Sequence, residues 1–515
     1  MQQQKSVLDR LDRIEVALGI GLDGLERSQD SHYLTEDDDY GEPDPLGEVW
    51  RSVVQLRSIT KPKQDDRIWT RPIVKQLWNT FLENLPLLHF LKDKDVFTSP
   101  TPLLLASVLY IAALHHPSAE LGSLSSGYFA AICCSISELV SPLTSSQRAD
   151  LNTIPRQEKA AHDILGLIMA SLSCEAHVDT TGSWISIGYR LWLDICPSDV
   201  VPPPLEWRGL FSGLQVIDIE HASIHMSYPL LPRQPPTQVI QQLNSQKGNA
   251  YQGLAEMMHY GLNHFVGRRL PTIWCSINAD VSDTIPAVRT PFTDKDSEVI
   301  RSWARKLDDW LVRYNGTSQP TPSDRQGILI LLQYHLHKLY VLSIYHPARG
   351  FDISSANITP VERHELLVSA RAVLRLREDD ASIWSNWDLI MITWAAILLL
   401  RGVEDGMAHQ DDLHLIQSHL QSLERSHHSI VSIHTVLFQR LESSMQAMHT
   451  PPDTSAALML PVPSADDSWT IFDQDIMSLA NPSWLYEDGS QFSQPGILGE
   501  ANFTPGVSWN QPEQI

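Results

Sequence analysis

Cysteine is scarce in this chain. Its 515 residues hold five, Cys133, Cys134, Cys174, Cys196 and Cys275, too few and too irregularly spaced for a disulfide framework. None belongs to the close C-x-x-C pair that a zinc site needs, so they read as buried free thiols of a reducing compartment. Positive charge is scarce too. Against 61 Asp and Glu stand 38 Lys and Arg, a formal net charge of -23. That balance opposes attraction of the whole surface to nucleic acid or to anionic membranes, because phosphate contacts require clustered Lys and Arg. Long apolar runs are also missing. The longest, Leu103 to Leu114 and Leu389 to Leu400, fall short of a bilayer span and suit buried core helices. Residues 1–5, Met-Gln-Gln-Gln-Lys, lead into a charged segment without the apolar centre of a signal peptide. The expectation is a soluble intracellular chain with no membrane partner.

Several chemistries lack their sequence signs. No G-x-S-x-G elbow, phosphate-binding P-loop or dinucleotide glycine fingerprint occurs. Asp37-Asp-Asp39 is similar to the aspartate-rich magnesium site of all-helical terpene cyclases, but it sits in a polar linker without a matching downstream motif. His221 and His225 lie one helical turn apart, a spacing able to hold zinc; Glu220 precedes them rather than falling between them, and no third ligand is evident. Hydrogen-bonded helical histidines are the better reading. His409, His414 and His419 fall five apart and cannot share one helical face. His115-His116 and His427-His428 read as loop or helix-end residues, and Arg208 and Asp218 as structural partners of neighbouring helices. No catalytic or metal-ligating set emerges, so the chain is read as a non-enzyme.

What is present has a clear order. In residues 1–27, Val7, Leu11, Ile14 and Leu18 follow 4-3-4 spacing with charged flanks, a short coiled-coil seam fit for dimerisation. Residues 28–48 are polar and acidic and end in Gly41-Glu-Pro-Asp-Pro45, a linker. From Val49 to Met448 the periodicity is almost wholly helical, with runs such as Gln157–Ser173, Trp207–His225, Trp387–Leu400 and Asp411–Leu441. Prolines fall near the element ends, and neither alternating strands nor a fixed-length repeat is found. The last 67 residues, 449–515, contain no Lys or Arg. There, acids alternate with bulky apolar residues, and a disordered acidic tail is expected. Trp469, Ile471, Phe472, Ile476, Met477 and Leu479 can line one face of a nascent helix while Asp466, Asp467, Asp473 and Asp475 keep it soluble. Such segments fold into coactivator grooves.

Several blocks resemble the middle homology region of fungal zinc-binuclear-cluster transcription factors. They are Leu77-Trp-Asn-Thr-Phe-Leu-Glu-Asn-Leu-Pro86 with the apolar helix from Pro102 to Ala113, and Trp184-Ile-Ser-Ile-Gly-Tyr-Arg-Leu-Trp-Leu-Asp-Ile195. Glu206-Trp-Arg-Gly-Leu-Phe211 follows with Asp218 and Pro229, then Leu307, Trp310, Tyr334 and Val341-Leu-Ser-Ile-Tyr-His-Pro347. The likeness covers residues 70 to 350. It implies an all-α fold, an irregular multi-helix regulatory domain over 49–448, between the short coil and the acidic activation tail. It also implies a nuclear, DNA-binding family whose members activate metabolic genes, secondary metabolism among them. The family's cysteine cluster and basic arm are not in this sequence, so DNA contact would come from an upstream module or a partner. Zinc would enter only with that module, and no cofactor is expected within the chain. The implied partners are a second copy of the chain, transcriptional coactivators and a small-molecule effector. Lys61-Pro-Lys63 is too short to serve as an import signal. The reading from another class is an all-helical enzyme or small-molecule-binding protein of secondary metabolism.

Overall fold

A computed structural model describes residues 46–61, 63–84, 97–140, 154–173, 178–196, 205–233, 250–268, 270–278, 292–315, 325–344, 358–378, 384–407, 409–425 and 433–449. All of them belong to one compact unit, Met1–Thr450. The dimer seam, the triplet Asp37–Asp39 and the apolar face of the tail lie outside the described residues, as do Cys174, His427 and His428. Among the described residues the chain is all-helical and contains no strand, as the periodicity predicts.

The elements run α1 (Gly47–Ile59), a 3-10 turn (Asp66–Trp69), α2 (Arg71–Glu83), α3 (Pro102–Leu114), α4 (Ala119–Gly122), α5 (Ser125–Val140), α6 (Ile154–Ser173), α7 (Val178–Ile195) and α8 (Leu205–His225). Then follow α9 (Ala250–Phe265), α10 (Ile273–Asn278), α11 (Asp294–Asn315), α12 (Arg325–Ser343), α13 (Pro360–Glu378), α14 (Asn386–Glu404), α15 (Asp412–Arg425) and α16 (Ile433–His449).

Two hydrophobic cores organise these helices. The N-terminal core centres on α3, which α1, α2, α5 and α6 surround. Thr101 caps α3 by accepting the Leu104 N–H, Pro102 pre-sets the first turn, and every residue from Leu103 to Leu114 is buried. A helix apolar all round has to be enclosed on all sides. α6 reaches it closely because residue 166 is glycine: a Cβ there would stand 2.9 Å from the Leu104 nitrogen. The Ser107 hydroxyl uses that proximity and donates to the Gly166 carbonyl at 2.9 Å. The C-terminal core is built the same way around α14, capped by Ser385 and enclosed from Trp387 to Leu400. By length and composition α14 could cross a bilayer, as could the Ala119–Val140 stretch, but 83% of the α14 window is buried inside the protein. α14 is a core helix.

α8 is common to both cores. Trp207, Leu210, Phe211, Leu214 and Ile217 belong to the N-terminal one, whereas Ile219, Ala222 and Ile224 belong to the other. α7 is held against the first half of α8. The Trp192 indole donates to the Trp207 carbonyl at 3.0 Å, and its ring lies 5.0 Å from that of Phe211. α8 stops at Met226, a non-glycine residue in the left-handed region (φ 49°), after which the Ser227 N–H closes on the Ala222 carbonyl. The chain then doubles back along α8. Asp218 accepts the N–H groups of Leu230 and Leu231, and the Gln215 amide donates to the carbonyls of Pro232 and Arg233.

Three details differ from the sequence reading. The run Asp411–Leu441 is two helices, α15 and α16, each packed on α14 and on the other. One straight helix of that length could not lay both of its halves on the same short neighbour. The cysteines are not all buried: Cys133 and Cys275 are exposed, and Cys134 and Cys196 are partly so. Cys133 falls off the buried stripe of α5, which runs through Tyr128, Ala131, Ile132, Ser135 and Ile136. Asp218 serves the returning strap rather than a neighbouring helix, and the Arg208 Nε has no hydrogen-bond partner among the described residues.

Candidate functional site

Between the two cores runs a seam of buried polar groups. Its centre is where the second half of α8 meets the first turn of α14. There Glu220 and Asp388 approach each other, and each hydrogen-bonds the Ser385 hydroxyl. Burial, with Asp388 next to it, holds the Glu220 carboxyl well above the usual carboxylate range. Burial also raises Asp388 to about 6, although hydrogen bonds from Ser385 and Gln333 and the charge of Arg377 work the other way. The Tyr251 phenol of α9 is raised by burial and by Asp388.

The seam continues on the α12 side. The Gln333 amide donates to Asp388 at 3.4 Å, and its backbone carbonyl accepts from the His337 Nδ1 at 2.8 Å. Burial lowers His337 to about 4, so its ring is neutral, and it lies 4.7 Å from that of Trp387. Toward α13, Arg377 donates to the Ser422 hydroxyl and stacks over Trp384. Beyond it stand His419, bonded to Thr393 at 3.0 Å, and the ring pair His115–His434 at 5.3 Å. Burial first, with Arg377 and His434 beside them, lowers His419 to about 3 and pushes His115 well below its ordinary value.

A cavity of about 30 Å³ opens beside this centre, partly exposed to solvent. α6 contributes Ser171 and Leu172, α7 Thr181, α8 Ile217, Glu220, His221 and Ile224, and α14 Asn386, Trp387 and Ile390. Glycine at 182 lets α7 pass this close, since a Cβ there would sit 2.8 Å from the His221 Nε2. The Ser171 side chain is buried, and its hydroxyl has no hydrogen-bond partner among the described residues. A space of this size holds a water molecule or a group of similar bulk.

The histidines singled out by spacing are only partly drawn into this arrangement. His221 and His225 do share a face, with ring centroids 4.5 Å apart, and His221 lines the cavity. No group of three or more His, Cys, Asp and Glu is placed to hold a metal among the described residues. His115 ends α3 as expected, His414 is exposed, and His419 alone of its trio enters the seam. Ser171, Thr181, Ser385, Asn386 and Asp388 escaped the sequence reading. One sign was available: Ser385-Asn-Trp-Asp388 has the spacing of a capping box before an apolar run. It marks a helix start and says nothing of the acid that α8 brings against it.

Two buried ion clusters serve packing elsewhere. Arg268, His264 and Thr293 surround Asp296, and Arg371 grips Asp412, which also takes the His409 N–H. Burial pushes both carboxyls up, but these donors outweigh it and hold each below the usual range. No protein-family model, no curated protein and no solved structure matches this chain.

Proposed function

We propose that the chain is a nuclear transcriptional regulator of the fungal zinc-binuclear-cluster class, an activator of a metabolic gene set. DNA contact comes from an upstream cysteine cluster or a partner, and Val7, Leu11, Ile14 and Leu18 pair two copies. The observation that carries the reading is the set of family-like blocks, two of which fall on α7 and α8. These helices are consecutive and tied through Trp192, Trp207 and Phe211. An all-helical body agrees with the helical regulatory domain that the resemblance implies. The tail supplies the output. Its acids speed encounter, and Trp469, Ile471, Phe472, Ile476, Met477 and Leu479 anchor in a coactivator groove.

Fusing residues 449–515 to a heterologous DNA-binding module tests this directly. Reporter output well above that of the module alone is expected, and output equal to the module alone removes the activation claim. A second reading, a small-molecule-binding protein without a role in transcription, has the cavity beside Glu220 in its favour. It predicts ligand binding by the body with a silent tail.

A further inference from the structure

We propose that the meeting of α3 with the α15–α16 pair is an acid-sensitive latch between the two cores: proton uptake by His115 and His419 releases it, while each core and the α8–α14 junction stay folded. Three imidazoles gather there from three helices. His115 ends α3, in the N-terminal core, and its ring stands edge-on to that of His434 on α16 at 5.3 Å. His419 of α15 is 3% exposed and holds Thr393 of α14 at 3.0 Å. Arg377 reaches in from α13 and donates to Ser422, about one turn along α15 from His419. The Nε2 of His115 and the Nδ1 of His419 are enclosed, and neither has a hydrogen-bond partner among the described residues.

A proton added to either ring makes an enclosed cation with no acceptor at these nitrogens, which is costly away from water. The charged and titratable groups acting on the two rings are Arg377 of α13 and His434 of α16, and no carboxylate is among them within the described residues. Burial first, then these neighbours, keeps both rings neutral while the latch is closed. Contact with water and distance from Arg377 return an imidazole to its ordinary value of about 6.5. Closed-state values lie below that figure, so the latch is at full strength above about 6.5 and weakens as pH falls below it. Each ring raises the opening constant about tenfold per pH unit, and the two together about a hundredfold. The far end of the seam responds the other way, since burial favours the neutral forms of Glu220 and Asp388 that acid supplies. Acid therefore parts α3 from α15 and α16 and spares the contact of α8 with α14. This inference stands on the histidine cluster alone and holds whether or not the chain regulates transcription.

The test uses the full 515-residue chain with spin labels on Cys133 of α5 and on Ser443→Cys of α16, both exposed positions. The other cysteines are replaced by serine, and excess unlabelled chain confines the measured distances to single copies. At about pH 8 one distance is expected. Between about pH 6 and about pH 5 a longer one should grow in, its ratio to the first rising by up to about a hundredfold per pH unit. His115→Phe keeps a ring but no titrating nitrogen and should reduce that dependence to about tenfold. A second pair, Cys133 with Arg51→Cys on α1, lies within the N-terminal core and should keep its distance throughout. Hydrogen exchange at the imidazole C2 of the unaltered chain, resolved by mass spectrometry, keeps the result independent of any variant's folding. It should find His115 and His419 protected at about pH 8 and accessible together at about pH 5. A distance between positions 133 and 443 that ignores pH, a dependence that His115→Phe leaves unchanged, continued protection of both histidines in acid, or lengthening of both pairs together overturns the proposal. Any of these leaves the reporter test of residues 449–515 untouched, because that test does not involve the histidine cluster.

Discussion

Glu220 on α8 and Asp388 on α14 meet at a single hydroxyl, that of Ser385, which also accepts the Asp388 N–H at 3.1 Å. A serine hydroxyl has one proton and two lone pairs. It therefore has a single proton to offer to two carboxyls. Burial and the neighbouring carboxyl disfavour two full charges at this junction between the cores.

Acids of this kind give stability a particular dependence on pH. Their folded values lie above the unfolded ones, so their contribution is complete below about 4 and is lost as pH rises through the folded value. That value is about 6 for Asp388, and burial places Asp163 and Asp218 at about 6 as well. Over the same window the buried neutral histidines His115, His337 and His419 gain stability as pH rises, so the acids are read by difference from variants. Relative to the unaltered chain, Glu220→Gln and Asp388→Asn should each shift the slope of urea midpoint against pH upward between about 4 and 6; an unchanged slope in both would refute the raised carboxyls at this junction.

The Arg371–Asp412 pair should behave in the opposite sense. Asp412 is fully buried, and its folded value is lowered, so its stabilisation is present above the unfolded value and lost as pH falls through the folded one. Arg371→Ala leaves that carboxylate enclosed without its guanidinium and should cost about 3–5 kcal/mol by urea unfolding. Arg190→Ala, which removes the exposed i,i+4 bridge to Asp194, should cost under about 0.5 kcal/mol. Equal losses from the two substitutions would contradict the distinction.

Gly261 on α9 lies under the Trp303 ring of α11, and a Cβ there would fall 2.1 Å from it. Trp303 is fully buried, so the ring has nowhere to retreat. Gly261→Ala should destabilise by about 1–3 kcal/mol through overpacking. Trp303→Leu added to it should cost less than the two single changes summed, because the smaller side chain frees the space. A strictly additive double variant would count against the contact.

Dimerisation through the N-terminal seam is checked by sedimentation. The full chain should associate with rising concentration, and Leu11→Asp with Leu18→Asp should leave a monomer whose helical signal is otherwise intact. A doubly substituted chain that still dimerises would place the interface elsewhere.

The parts legible in the sequence are those fixed by local composition. A run such as Leu103–Leu114 has no polar face to offer water, and its enclosure follows from that alone. Helix ends near Ser173, His225 and Phe265 were readable because polar or proline-rich stretches follow them. The division of Asp411–Leu441 was not, since both halves keep helical periodicity and only their shared contact with α14 separates them. The site was hidden for the same reason. Glu220 and Asp388 are 168 positions apart, and Ser171 and Thr181 come from two further helices. Spacing along one helix could find His221 beside His225, but it could not find what four helices bring together.

The central claim is that the helical body carries an activating tail. It is tested most directly by joining the whole chain to a heterologous DNA-binding module and replacing Trp469, Phe472 and Leu479 with alanine. The account predicts reporter output from the unaltered fusion and its loss in the triple variant at equal protein level. Output that is absent from the unaltered fusion and from residues 449–515 alone, or that is unchanged by the three substitutions, would contradict it.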